Sequence, residues 1–567
     1  MRKLVDPIAD VVWTEPKSAG GLGKALPHES ARKHVTGTAL YIDDLPEPAR
    51  MLHAAVGYSL VARGRIRTLN LDAVASQRGV VALLTLADVP GLTDIGPVFP
   101  GDPILAGDEV KFWGQPLFAV AADTLDNARR AVHHANVDIT AEAPLLDPVQ
   151  AVAENHLVRP SHQLSRGDAA AAIASAPHIL EAEMSIGGQE HYYLEGQVSL
   201  AIPQEDGGMH VHCSTQHPSE VQKLVAEVLA VPLGAVTVET RRMGGGFGGK
   251  ETQAAQWACL AALLARNTGR PVKLRLPRAD DMIMTGKRHP FVNQYRVGFD
   301  ASGVLMGAEI RVTGNCGCSP DLSDAIVDRA MFHADNAYYL PAAHIVGHRA
   351  FTNTVSHTAF RGFGGPQGMM MIERAMDDIA RAVGADPLDV RKRNGYRGPD
   401  RNITPYHQTV ESDTLTRVIE QLERTSDYRA RREDIAQFNK TSRLLKKGLA
   451  LTPVKFGISF TVQHLNQAGA LIHVYTDGSI HLNHGGTEMG QGLNTKVAQI
   501  VAEELQVDMD TIHITATRTD KVPNTSPTAA SSGADLNGHA ALAAARIIKQ
   551  RLVDFLVESE KVAPESV

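Results

Sequence analysis

Apolar β-type runs alternate along the chain with alanine- and leucine-rich helical runs, and this alternation predicts a mixed α+β protein. Residues 52–59 and 116–122 read as strands. Residues 124–135 read as a capped amphipathic helix with Leu125, Ala128 and Val132 on one face. These runs predict a compact α/β domain over 26–145, behind a flexible lead at 1–25 that carries two prolines and a glycine cluster. A segment containing Pro144 and Pro148 leads out of it, and a larger second domain is expected over 155–567.

The second domain contains an internal repeat. Residues 221–231 (VQKLVAEVLAV) and 497–507 (VAQIVAEELQV) align with valine, Val-Ala-Glu, leucine and valine in register. A hairpin turn precedes each helix, at Asp206-Gly207-Gly208 and at Asp477-Gly478. A strand follows each, at 236–238 and 512–514, and then a loop of small residues and an alanine-rich helix. Two related modules therefore each present a small-residue loop, and a ligand touching both is expected.

In the first module that loop is Met243-Gly244-Gly245-Gly246-Phe247-Gly248-Gly249-Lys250-Glu251, between the strand and a helical run expected from Lys250 to about Ala265. Five glycines in six positions let the backbone approach a ligand closely. The N–H groups at the start of the following helix suit an anion or a polar cofactor edge. The second module offers 526–533 (SPTAASSG). Three further loops have unusual composition: Gly187-Gly188-Gln189-Glu190-His191, followed by Tyr192 and Tyr193; 359–367 (AFRGFGGPQ); and 485–492 (GGTEMGQG). The charged stretch at roughly 400–450 reads as helical and solvated.

Gly244-x-Gly246-x-x-Gly249 matches a dinucleotide fingerprint formally, but the next strand, 272–276, ends at Pro277-Arg278 without the acid that would hold a ribose. A phosphate loop needs Ser or Thr after Gly-Lys, where this chain has Glu251. What remains, glycine loops with isolated Gln189, Glu251, Arg329, Arg361, Phe363, Phe460 and Gln491, suits a large flat polar cofactor and a planar substrate.

Composition narrows the classes. Of 567 residues, 43% are hydrophobic and 21% charged, as in a globular protein with a sizeable core. The net charge of −7 comes with no basic tract, so neither nucleic acid nor an anionic membrane is an expected partner. No apolar run reaches membrane-spanning length, and the N-terminus meets a proline and acids before any apolar signal core, so a cytoplasmic protein is expected. Cys213, Cys259, Cys316 and Cys318 are too few and too tightly or widely spaced for an iron–sulfur or zinc site.

The motifs IGGQEHYYLE (186–195), RMGGGFGGKE (242–251), TAFRGFGGPQ (358–367), KFGISFT (455–461), GGTEMGQG (485–492) and SPTAA (526–530) occur in this order. With them the chain closely resembles the molybdenum-cofactor-binding part of xanthine dehydrogenase, in the form where that part is a separate bacterial subunit. The resemblance implies an N-terminal α/β hammerhead-type domain followed by a large mixed α/β molybdenum-cofactor-binding domain with internally repeated modules. It implies a molybdenum–molybdopterin cofactor contacted by Gln189, Gly246, Phe247, Arg361, Gly490, Gln491, Ala529 and Ala530. Gln189 would hydrogen-bond a molybdenum oxygen, with Phe247, Arg361 and Ala530 also near the metal. Phe363 and Phe460 would sandwich a purine, Thr461 would contact it, and Glu251 with Arg329 would bind its polar edges. A guanidinium there stabilises charge developing on the ring, which favours a purine over an aldehyde. Implied partners are a small subunit carrying [2Fe-2S] and FAD, with NAD as acceptor, in a dimer of heterodimers.

The pattern breaks at one place. The resemblance places the catalytic base in a Gly-Glu-Pro-Pro motif, and no Gly-Glu-Pro occurs in these residues, so the domain is expected to be incomplete at its C-terminus and the catalytic residue is left unassigned. The expected activity is oxidation of hypoxanthine and xanthine to uric acid, with two alternatives: a molybdenum hydroxylase for another N-heteroaromatic or an aldehyde, and a non-catalytic fragment lacking the base.

Overall fold

The computed structural model describes residues 21–411 and 413–564. Most of the expected lead at 1–25 lies outside them. The chain forms two compact units, each discontinuous in sequence. The first comprises the chain up to Ala143, Glu190–Gly286 and Ile458 onward; the second comprises Pro144–Gln189 and Lys287–Gly457.

The first unit is built on an eight-stranded mixed sheet, in the order Thr517–Arg518, Val236–Thr240, Met209–Cys213, Val198–Pro203, Val272–Arg275, Leu52–Tyr58, Pro116–Ala122 and Val80–Leu84. Its core is organised by the helix Ala254–Thr268, whose Ala254–Ala265 stretch is buried except for Gln256, with Trp257 the largest buried residue. A helix apolar on all sides has to lie inside the protein. The three-stranded sheet Glu109–Val110, Gly64–Asn70 and Asn136–Ala141 stands beside it, and its apolar side packs on Leu117, Phe118 and Val120.

The sequence repeat is a structural repeat. In each copy an antiparallel hairpin (Val198–Pro203 with Met209–Cys213, and Ala470–Val474 with Ile480–His484) leads into a helix, Pro218–Leu229 or Leu493–Leu505. Each helix ends on a left-handed residue, Ala230 (φ 51°) or Gln506 (φ 56°), followed by one turn of 3-10 helix. Each following strand pairs in parallel with the second strand of its hairpin. The closing helices are Ala254–Thr268 and Gly533–Glu560. The first closing helix begins at Ala254, later than the expected Lys250, because the Lys250 side chain is drawn inward, as described below.

The second unit is a five-stranded sheet in the order Leu157–Arg166, Ala343–Phe351, Leu305–Gly317, Phe291–Phe299 and His178–Ile186. Helices Ser323–Phe332 and Gly365–Val383 share its apolar core. Against strand residues Gly298 and Gly307 lies the short helix Ala169–Ala174; a Cβ on Gly298 would stand 2.8 Å from the Ile173 Cα. The charged stretch forms two helices, Thr414–Thr425 and Tyr428–Thr441, largely exposed. All four cysteines are buried and unbridged. Among the described residues no helix is long and apolar enough to cross a membrane.

Gly364 shows how closely the second unit's helices pack. Its φ is +90°, and a Cβ there would come within 2.0 Å of the Ile326 carbonyl oxygen. Gly364→Ala is expected to cost about 2 kcal/mol or more, seen as a lower denaturation midpoint; an unchanged midpoint would show that the two helices separate freely.

Candidate functional site

In the first unit, hydrogen bonds tie four loops into one surface. The Met243 N–H donates to the Glu488 carbonyl (2.9 Å), joining the glycine loop to the 485–492 loop. Gln216 joins the glycine loop to the 526–533 loop: its Oε1 accepts from the Gly248 N–H (2.8 Å), its Nε2 donates to the Thr528 carbonyl (3.1 Å), and its own carbonyl accepts from the Thr528 N–H (2.9 Å). The Thr487 N–H donates to the Thr528 hydroxyl (2.8 Å), and the Ser459 N–H donates to the Ala530 carbonyl (2.8 Å). Gly246, Phe247, Gly490, Gln491, Ala529, Ala530, Phe460 and Thr461 therefore all lie on segments bonded to one another.

The backbone at these segments is unusual. Phe247 (φ 56°), Ala530 (φ 56°) and Ser459 (φ 70°) are left-handed without being glycine. Such conformations cost energy and persist only where surrounding bonds enforce them. Phe247 is 41% exposed, which a core role would not produce. Phe460 is held at both backbone groups by the Asn466 side chain (2.8 Å each). Gln491 is turned back on its own loop: its Nε2 donates to the Thr487 carbonyl and its Oε1 accepts from the Met489 N–H. Glu488, buried, receives the Gly490, Gly492 and Asn494 N–H groups (2.9–3.0 Å) and fixes that loop from below.

Lys250 is completely buried. Its ammonium donates to the Glu195 carbonyl (2.6 Å) and the Ser214 hydroxyl (2.7 Å), with the Glu195 carboxylate at 3.5 Å. The same carboxylate accepts from the Gly244 N–H (2.9 Å) and the Ser214 hydroxyl (2.6 Å). Burial lowers the Lys250 pKa, and Glu195 opposes that shift. Glu251, next along the chain, is 4% exposed.

A cavity of about 510 Å³ opens in this unit, within the range of small-molecule sites. Its wall includes Arg242 to Gly245 and Glu488 to Gly490. A Cβ on Gly490 would meet nothing within 4 Å, and the buried Arg242 Nε–H has no partner. Backbone from two glycine loops and an unmatched donor on one cavity wall fit a flat polar group. Among the described residues one cluster, His210, His212 and Glu239, has metal-ligand spacing, but Glu239 already pairs with His210 (3.2 Å) and Arg518 (3.7 Å).

In the second unit, Gln189 and Arg361 are brought together by a residue that sequence reasoning missed. Strand His178–Ile186 pairs with Phe291–Phe299, and one isolated bridge continues that ladder from Gln189 to Arg288. The Arg288 Nε–H donates to the Gln189 Oε1 (2.6 Å) and its Nη2–H to the Arg361 carbonyl (2.8 Å). Its guanidinium lies 3.8 Å from the Phe360 ring centroid.

Arg329 is 6% exposed and its Nη1 donates to the Gly457 carbonyl (2.6 Å). Its guanidinium carbon lies 5.9 Å from the Phe363 ring and 5.5 Å from Phe456, a ring the motif reading did not single out. His333 supports this arrangement. The Gly457 N–H donates to its Nε2 (3.2 Å), so Nδ1 carries the proton and donates to the Arg329 carbonyl (2.8 Å). Burial, aided by the Arg329 charge, holds the His333 pKa down at about 4.

Family models match three segments: "Aldehyde oxidase and xanthine dehydrogenase, a/b hammerhead domain" over 36–142, and "Molybdopterin cofactor-binding domain" over 150–395 and again over 421–567. The chain is 42% identical to a xanthine dehydrogenase/oxidase of Gallus gallus over 96% of its own length and 40% of that protein. It is 41% identical to xanthine dehydrogenase 1 of Arabidopsis thaliana over 94% of its length and again 40% of that protein. It thus spans about two fifths of the length of these curated relatives. Among solved structures, the aldehyde oxidoreductase of Desulfovibrio gigas superposes with a TM-score of 0.82 at 27% identity, covering 93% of this chain and 59% of that one. The quinoline 2-oxidoreductase of Pseudomonas putida 86 superposes at 0.87 with 24% identity, covering 97% and 73%, and shows the shared fold.

His333 has a folded pKa below its ordinary value, so the unfolded state binds the proton more tightly. Its contribution is present above pH 6.5 and lost as pH falls through about 4. Protonation removes the acceptor for the Gly457 N–H. Hydrogen exchange at the Gly457 amide is therefore expected to speed up across pH 6.5 to 4 in excess of its intrinsic pH trend; an excess-free profile would show that the bond does not hold the segment.

Proposed function

We propose, from the premise that the chain belongs to the xanthine dehydrogenase family of molybdopterin-binding proteins, that it holds a molybdenum–molybdopterin cofactor and directs it at a purine. The carrying observation is the set of four loops bonded through Gln216, Glu488 and Ala530, with non-glycine residues forced into left-handed backbone. These loops are rich in glycine and other small residues, which lets a flat polar cofactor approach their backbone closely.

In this reading Gly246, Phe247, Gly490, Gln491, Ala529 and Ala530 hold the cofactor, largely by backbone groups. Gln189 offers its amide toward the metal's oxygen, with Arg361 joined to it through Arg288. When bound, the cofactor supplies a two-electron oxidation that places oxygen on a ring carbon. This chain's residues bind and orient the substrate. Glu251 and Arg329 take the purine's polar edges, Arg329 stabilising negative charge that develops on the ring. Phe363 and Phe460 confine its faces, and Thr461 adds a hydroxyl. The activity proposed is conversion of hypoxanthine and xanthine to uric acid, with electrons leaving through a partner subunit's [2Fe-2S] and FAD to NAD in a cytoplasmic dimer of heterodimers. The likeness to the D. gigas aldehyde oxidoreductase favours a second reading, an aldehyde as substrate; a purine, with ring N–H groups to donate to Glu251 and developing charge for Arg329 to stabilise, gives that pair a role that an aldehyde does not.

The test is co-expression with an Fe–S/FAD subunit, with bound molybdenum and xanthine-dependent NAD reduction measured together. Arg329→Met is expected to lower kcat/KM for xanthine by about 10²-fold or more while leaving bound molybdenum and aldehyde turnover near wild type. Equal losses on both substrates would defeat the purine assignment, and absence of bound molybdenum in the wild-type chain would defeat the cofactor assignment.

A further inference from the structure

Two of the buried arginines in the second unit, Arg349 and Arg391, have carboxylate partners. Arg349 pairs with Asp324 (2.9 Å) and Asp328, and Arg391 with Glu373 (2.7 Å) and Asp377 (2.9 Å). Arg288 departs from this pattern. It is 8% exposed, and among the described residues no carboxylate pairs with it. Burial alone pulls its pKa down to about 10, with no acid opposing the shift. Its Nη1 is buried without a partner, while Nε and Nη2 hold Gln189 and Arg361.

A guanidinium has only donors, so the Gln189 atom facing Arg288 has to be the amide oxygen. The Gln189 NH2 is then turned away from Arg288, and the exposed side chain can offer only donors on that side. We infer that Arg288 is a positioning residue that locks the Gln189 amide as a donor toward an anionic oxygen ligand, its uncompensated charge adding to that preference. This rests on the reading of Gln189 as a cofactor contact. Lys in its place would keep the charge but could not present two fixed parallel donors to the Gln189 oxygen and the Arg361 carbonyl.

The experiment uses the chain co-expressed with its Fe–S/FAD subunit, as wild type, Arg288→Met, Arg288→Lys, Gln189→Ala and the Arg288→Met/Gln189→Ala double variant. Bound molybdenum per chain, the molybdenum EPR signal after partial reduction, and the thermal midpoint are measured for each. Arg288→Met is expected to lower bound molybdenum by about tenfold or more and to alter the EPR signal of what remains. Gln189→Ala should do the same, the double variant should be no worse than either single, and Arg288→Lys should fall between wild type and Arg288→Met. Wild-type metal content and signal in Arg288→Met, with both lost in Gln189→Ala, would overturn the inference, as would additive losses in the double variant. If Gln189→Ala itself keeps metal and signal, the reading of Gln189 fails first and takes this inference with it. Should Arg288→Met not fold, an Arg288→Lys chain with wild-type metal content and signal overturns the inference.

Discussion

An ammonium with no access to water constrains the first unit more than any other group. An isolated buried charge costs several kcal/mol, and only a partner with good geometry offsets that. The Lys250 ammonium finds it in Glu195 and Ser214, and the Glu195 carboxylate also takes the Gly244 N–H. One buried pair thereby fixes both ends of the glycine loop. It also explains why the chain does not enter a helix at Lys250: the side chain has to point inward, the next residues turn, and the helix starts at Ala254. Phe247, at the loop's midpoint, is left as the residue with nowhere inside to go.

The repeat supplies the second half of the arrangement. Duplicating a hairpin, helix and strand places a small-residue loop at the same point of each copy, after the strand and before the closing helix. Gln216 precedes the first copy's helix and reaches the second copy's loop at Thr528, while Glu488 does the converse through Met243. The two copies brace each other, which is how loops with so few side chains keep one conformation.

Much of this was legible in the sequence, for a physical reason. Glycine clusters, hairpin turns and the repeated Val-Ala-Glu helix are local signals, and local signals survive in one dimension. The residues that the sequence did not reveal act at long range. Gln216, Glu488 and Arg288 each look ordinary beside their neighbours, and their roles come from partners hundreds of positions away or across a sheet. Phe456 was passed over for the same reason: a ring in the KFGISFT motif gives no sign that it faces Arg329 until the Gly457 carbonyl is seen to accept from that guanidinium. The Gln491 side chain bonds within its own loop, and the adjacent Gly490 lines the cavity, an arrangement that the motif alone does not show.

The treatment of buried cations separates scaffold from site. Lys250, Arg349 and Arg391 are each matched by carboxylates of the same unit. Arg288 is also buried, though less completely than these three, and among the described residues it has no carboxylate partner. Leaving a guanidinium unmatched lowers stability, and an unfilled Nη1 adds to the loss. Such a cost persists where the missing anion arrives from outside the chain. The contrast therefore points away from packing as the reason for Arg288 and toward a ligand carrying negative oxygen, the chemistry that the Gln189 amide beside it is turned to meet.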